Sequence, residues 1–311
     1  MPPVEVSESA VWLLLARWFP GQDVAVERMG SGGSTPVYRV TVAGEVHYLR
    51  LGEEPGERRD AEVRAHELVR GLGITVPEIV RWEREPPELD RSGALTTRMP
   101  GVPLAEFDGD AADALRRAGR DLARSNAIPV IGYGWANAVG NDRHLVAAHS
   151  TRAAWAAEYL AAAETLFTAR TMATVGSGGG QALVDAVRRW SALPDRKTSR
   201  LAHGDFDASH IYVDPKSGIY QGIIDLGEIR GADPRYDLGH ALVHAGDAGG
   251  RTAFDGVVAG YREVAPVDLD AVRLQAIAIA TRALAIQLGR APNTYRDVLT
   301  RRLVELLDDD H

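Results

Sequence analysis

Apolar residues recur at every second position over residues 24–29, 37–42 and 46–51, the period of half-buried strands. Gly30-Ser31-Gly32-Gly33-Ser34 joins the first two runs and Ala43-Gly44 turns the second into the third, so three antiparallel strands are predicted. Ahead of them Ser7 is placed to cap a helix that runs to about Phe19 and stops at Pro20-Gly21. After them the period changes to that of a helix over 59–71, with Ala61, Ala65, Leu68 and Val69 on one face. Strands follow at 79–82 and 94–99, then Pro100-Gly101 as a hinge. Beyond the hinge the chain turns alanine-rich and helical at 111–127 and 152–172, with a Gly-rich loop at 176–180. A short β island spans 201–225, and further helices complete the chain. The predicted fold class is α+β, with a small strand-rich lobe over 1–99 and a larger helical lobe over 100–311.

Composition narrows the function. With 45% hydrophobic residues among 311 the chain can build sizeable cores. A net charge of -8 argues against a nucleic-acid partner held through its phosphates, and suits a cationic small molecule better. The absence of cysteine excludes disulfides, thiol nucleophiles and cysteine-ligated metals. The apolar run at 10–15 ends at Arg17, too short to span a membrane, and a cytoplasmic protein with no membrane partner is expected. The only lysines are Lys197 and Lys216, so any cation needed in the first 196 residues must be arginine or histidine.

The chemistry concentrates in His203-Gly204-Asp205-Phe206-Asp207-Ala208-Ser209-His210 and Ile223-Ile224-Asp225. Pro215-Lys216-Ser217-Gly218 between them is a turn, so the stretch is predicted to be a hairpin that returns Asp225 opposite Asp207 and beside both Asp205 and His210. Two carboxylates and an imidazole converging at a hairpin base are the groups phosphoryl transfer requires: one to orient and deprotonate a hydroxyl, others to hold a divalent metal against the phosphates.

On these residues the chain resembles the aminoglycoside phosphotransferase family, small-molecule kinases with a bilobal protein-kinase-like fold. The resemblance covers roughly residues 22–245. It implies Asp205 as catalytic base, Asp225 as principal Mg2+ ligand, and His203 and Asp237 as supports of the catalytic loop. His210 stands where the family usually has a metal-binding Asn, and macrolide phosphotransferases within the family are similar in carrying His there. Gly32, Gly33 and Ser34 resemble the turn over the nucleotide phosphates. Glu62 matches the helix glutamate that holds the phosphate-binding cation, and Arg50 takes the position usually given to lysine. Thr96 to Leu104, with Arg98 and Met99, is similar to the hinge that holds the purine. Asp233-Pro234 looks like a helix start, with Asp233 as its cap.

The resemblance implies a Mg2+-dependent transfer of the γ-phosphoryl of ATP or GTP to a hydroxyl of a small molecule, most simply an antibiotic. A metabolic kinase acting on a sugar, amino alcohol or homoserine-like hydroxyl, and an inactive nucleotide- or ligand-binding protein, remain open at this point, as does the oligomeric state. Asp207, Glu228 and Asp233, with acidic residues of 105–113 and 158–164, are the candidate contacts to the acceptor. His240 and His244, one helical turn apart, form a further pair able to bind metal.

Overall fold

The computed structural model describes residues 6–30, 36–54, 59–168, 179–193, 198–245 and 248–308. The N-terminal part opens with α1 (Glu8–Trp18), whose Val11, Leu14, Leu15 and Trp18 are buried at the spacing of one helical face. It covers a five-stranded antiparallel sheet of β1 (Val24–Arg28), β2 (Val37–Val42), β3 (Glu45–Leu51), β4 (Ile79–Glu83) and β5 (Gly93–Thr97), in the order β1-β2-β3-β5-β4. Tyr38, Val40, Leu49 and Leu51 alternate toward α1 and close a hydrophobic cluster. Helix α2 (Asp60–Gly71) crosses between β3 and β4, and its Ala61, Ala65 and Val69 join a second, larger cluster formed by the rest of the chain.

The chain passes to that larger body through Gly101 (φ +95), where a Cβ would overlap the Val213 carbonyl oxygen. Only glycine allows this approach, which seats β6 (Val102–Pro103) against β11 (Ile211–Val213). Helix α3 (Ala112–Ser125) follows. Residues 128–151, to which the apolar pattern assigns no element, fold as β7 (Pro129–Ile131), β8 (Tyr133–Val139) and β9 (Leu145–His149). With β10 (Ser199–Ala202) and β13 (Arg230–Ala232) they close a small barrel. Their runs are short and interrupted by Gly132 and Gly134, both with positive φ, which hides the strand period.

Helices α4 (Arg152–Thr168) and α5 (Gly179–Ser191) flank the segment predicted as a glycine-rich loop. Residues 176–178 of it lie outside the described residues, and Gly179 and Gly180 form the first turn of α5. After β12 (Tyr220–Ile223) and β13 come α6 (Arg235–His244), α7 (Ala248–Arg262), α8 (Leu269–Leu288) and α9 (Thr294–Asp308), with α8 packed on α4, α5, α6 and α9. No helix among the described residues is long and apolar enough to cross a membrane.

Candidate active site

The β11-β12 hairpin forms as the turn residues predict, but its register differs. Ile211 pairs with Ile223, and a bulge separates Tyr212 from Val213. Asp225 is therefore level with Ser209 rather than Asp207: the turn is centred between Lys216 and Ser217, which shifts the pairing by one residue, and the bulge adds another. The convergence survives the shift. His210 Nε2 lies 3.9 Å from Asp205 Oδ2 and 3.8 Å from Asp225 Oδ2. Its Nδ1 is 2.5 Å from the Asp205 carbonyl oxygen. A carbonyl only accepts, so Nδ1 carries the hydrogen and, in the neutral ring, the Nε2 lone pair faces the gap between the two carboxylates.

The Asp205 loop is held from beneath. Asp237, fully buried on α6, accepts from His203 N (2.8 Å), Gly204 N (2.9 Å) and Asn126 Nδ2 (2.8 Å). His203 Nε2 donates to the Ile224 carbonyl at 2.8 Å, tying the loop that carries Asp205 to the segment that carries Asp225. Burial, followed by neighbouring His210, holds the His203 pKa below its usual value, so the ring is a neutral structural link. Gly204 (φ +91) brings the loop so close that a Cβ would overlap the Glu228 carbonyl oxygen. Asp225 itself is left-handed (φ 66, ψ 65), a conformation aspartate tolerates better than most residues.

From the sheet side, Arg50 on β3 reaches across the cleft. Its Nη1 lies 2.5 Å from Asp225 Oδ1 and 3.6 Å from Glu62 Oε1. Burial alone would raise the pKa of Asp225, but the charge and hydrogen bond of Arg50 outweigh it and hold the carboxyl well below the usual range. Glu62 is likewise lowered despite burial, by Arg50 and Arg59. Arg59, buried at the start of α2, is hydrogen-bonded to Glu62 and donates to the Leu51 carbonyl at 2.9 Å.

Arg50, Asp205, His210 and Asp225 share one cleft of about 1570 Å³. It is lined by Val37, Tyr48, Arg98 and Met99 from the sheet and by Tyr212 and Ile224 from the hairpin that carries Asp225. The model of the phosphotransferase enzyme family, APH, matches residues 25–275, which takes in Arg50, Glu62, Asp205, His210 and Asp225. The chain belongs to that family. No curated protein matches it. Among solved structures, a thermostable mutant of aminoglycoside phosphotransferase APH(4)-Ia, in ternary complex with AMP-PNP and hygromycin B, is 16% identical. That likeness covers 97% of this chain and 99% of the other, with a TM-score of 0.70. The GDP complex of aminoglycoside 2'-phosphotransferase-IIIa is 19% identical over 98% of this chain and 100% of that one, with a TM-score of 0.67. The GDP and kanamycin complex of APH(2")-IIIa is 18% identical over 96% and 97%, with a TM-score of 0.65.

In this phosphotransferase the predicted residues are brought together unevenly. Asp205, His210, Asp225, Arg50, Arg98, Met99 and Glu228 line the cleft, and Glu62, His203 and Asp237 brace it from behind. Gly32, Gly33 and Ser34 lie outside the described residues. Asp207 accepts from Ser209 N at 2.7 Å and from Ser209 Oγ at 2.5 Å, so it closes a turn. Asp233 accepts from Arg235 N at 3.0 Å and pairs with the Arg235 side chain, capping α6 as predicted; it does not line the cleft.

The sequence reading missed Arg59, Arg230, Tyr236 and Tyr295. His240 it treated only as half of a metal pair. His240 Nε2 instead lies 3.3 Å from Asp205 Oδ1, while Nδ1 is 3.2 Å from the Phe206 carbonyl. Its position four residues before His244 was the available signal, but spacing cannot show that α6 aims it at Asp205. As a metal site, the donor set is carboxylate-rich: Asp205, Asp207 and His210 offer atoms within 4.8 Å of one another, and Asp225 Oδ2 faces the same imidazole. Oxygen donors with one nitrogen suit a hard divalent cation.

Proposed function

We propose that this phosphotransferase is a Mg2+-dependent kinase that moves the γ-phosphoryl of ATP or GTP to a hydroxyl of a small molecule, an antibiotic, on a bilobal protein-kinase-like fold. Residues 1–99 form the nucleotide-binding lobe and 100–311 the catalytic and acceptor-binding lobe. The observation that carries the reading is His210 Nε2 standing within 4 Å of a carboxylate oxygen of Asp205 on one side and of Asp225 on the other, at the cleft to which Arg50 also brings its charge. AMP-PNP and GDP in the solved relatives support a nucleotide donor, and the antibiotics bound beside them support an antibiotic acceptor without specifying its class.

The cleft takes the purine between Val37 and Tyr48 on one side and Tyr212 and Ile224 on the other, with the 97–99 backbone at its edge. Arg50, held by Glu62, meets the phosphates, and in doing so releases Asp225 Oδ1. His210 and Asp225 would hold Mg2+, which when bound supplies positive charge against the phosphate oxygens. Asp205 orients the acceptor hydroxyl and takes its proton. As the acceptor oxygen bonds to the γ-phosphorus, the bond to the β,γ-bridging oxygen breaks and the nucleoside diphosphate leaves. Asp237 and His203 fix where the Asp205 carboxylate stands.

The test is mass spectrometry of hydroxylated antibiotics incubated with the protein, Mg2+ and either nucleotide. Asp205→Asn is expected to lower product formation by roughly 10²–10⁴-fold, the usual share of a positioned base. Product formation undiminished by that substitution would sink the assignment.

A further inference from the structure

The half of the cleft beyond Asp205 has a chemistry of its own. Its wall is apolar and aromatic. Tyr159 and Tyr236 are buried to 1% and 4% exposure, Ile279 lies beside them at 8%, and Ile286 and Tyr295 stand open at 46% and 41%. The only carboxylates among the described lining residues are Asp205, Asp225 and Glu228. The first two belong to phosphoryl transfer, and Glu228 accepts from Arg230 Nη2 at 2.8 Å. Arg230 and Arg282 line the same wall, and Arg282 is paired with Glu158 behind it.

An array of ammonium groups would find little to hold it here. Each guanidinium on the wall already takes a carboxylate, Arg230 that of Glu228 at 2.8 Å and Arg282 that of Glu158 at 3.2 Å, so neither acid is left over for an ammonium group. Nor are the buried aromatic faces free for a cation: Arg230 already lies over Tyr236 at 5.6 Å and Arg282 over Tyr159 at 5.7 Å. The charge of the whole chain, which suggests a cationic ligand, is thus not the charge of this wall. Arg230 also has donor capacity to spare, since its Nε is buried without a hydrogen-bond partner.

From this we infer the acceptor's class: an alcohol on an apolar, ring-bearing body, uncharged or anionic, packed against Ile279, Ile286 and Tyr295 with an oxygen of its own turned toward Arg230. It is not a polyamine. The inference rests on the phosphotransfer reading only for the identity of Asp205's partner; the binding preference of the wall can be measured without turnover.

Equilibrium binding to the full chain, in the presence of AMP-PNP and Mg2+ at physiological ionic strength, would compare three probes. Chloramphenicol is an uncharged aromatic diol, 3-phenyllactate an anionic aryl alcohol, and kanamycin a polycation. The two apolar-bodied probes are expected to bind at least about tenfold more tightly than kanamycin, a gap that Ile286→Asp, which places a free carboxylate on the wall, should close or reverse. AMP-PNP affinity in the same variant reports folding, and Tyr295→Ala offers a second, milder truncation that should weaken both apolar-bodied probes. Kanamycin binding as tightly as either of them, no measurable binding of both, or affinities indifferent to Ile286→Asp would each overturn the inference. Failure of AMP-PNP to bind the unsubstituted protein would instead count against the phosphotransfer reading, with the ligand order still read separately.

Discussion

Asp237 is the most demanding test of how the loop is built, because one side chain satisfies three donors. Its Oδ2 accepts from His203 N and Asn126 Nδ2, both at 2.8 Å, and Oδ1 accepts from Gly204 N at 2.9 Å, all in a fully buried position. Asp237→Ala strands these donors, and each unsatisfied buried group costs about 1–3 kcal/mol. Removing the buried carboxylate also relieves its own desolvation, so the net loss should be smaller than the sum, about 3–5 kcal/mol, as for a broken buried charge.

Asp237→Asn can keep its oxygen where Oδ2 stood, preserving two bonds and turning an amide N–H against Gly204 N. Its loss should be about 1–2 kcal/mol. Chemical denaturation of the three proteins measures the order directly, and a melting-point drop on the order of 6–12 °C is expected for the alanine variant. Turnover should fall further than the folded fraction alone explains, since Asp205 follows the 203–204 backbone. A loss below about 1 kcal/mol in Asp237→Ala, or equal losses in the two variants, would refute the account of the loop as hung from these three bonds.

Other perturbations follow from the same geometry. Gly204→Ala must bend a loop whose φ is +91 and whose Cβ would overlap the Glu228 carbonyl; about 1–3 kcal/mol of strain should move Asp205 and lower kcat by at least tenfold, measured against an unchanged nucleotide affinity. Arg50→Met leaves Asp225 and Glu62 without their shared cation, so nucleotide turnover should drop roughly 100-fold, with Arg50→Lys retaining more because the charge stays. Burial, followed by the neighbouring His244, pushes His240 down to about 4, well below the usual histidine range. A depressed folded pKa means the unfolded chain binds the proton first. Its stabilisation is present above about pH 6.5 and is lost as pH falls toward 4; His240→Gln should flatten that part of the unfolding-midpoint profile.

Local signals in the sequence determined much of this protein. The period-two runs at 24–51, the helical spacing of Ala61, Ala65 and Val69, and the turn at 215–218 each describe a segment whose neighbours in the chain decide its conformation, and the structure forms them at those places. The His-Gly-Asp motif and Asp225 were legible for the same reason: a hairpin brings its two ends together whatever packs around it. The barrel strands at 129–149 were not, because short runs broken by Gly132 and Gly134 are stabilised by pairing with β10 and β13, far along the chain.

Only the tertiary structure decided the rest. Arg50 meets Asp225 across 175 residues. Arg59 shares Glu62 with it, and α6 turns His240 onto Asp205. The net charge of -8 gave no warning that the acceptor wall carries arginines over tyrosines, because composition sums the whole surface while a ligand meets only the few side chains that folding gathers around it.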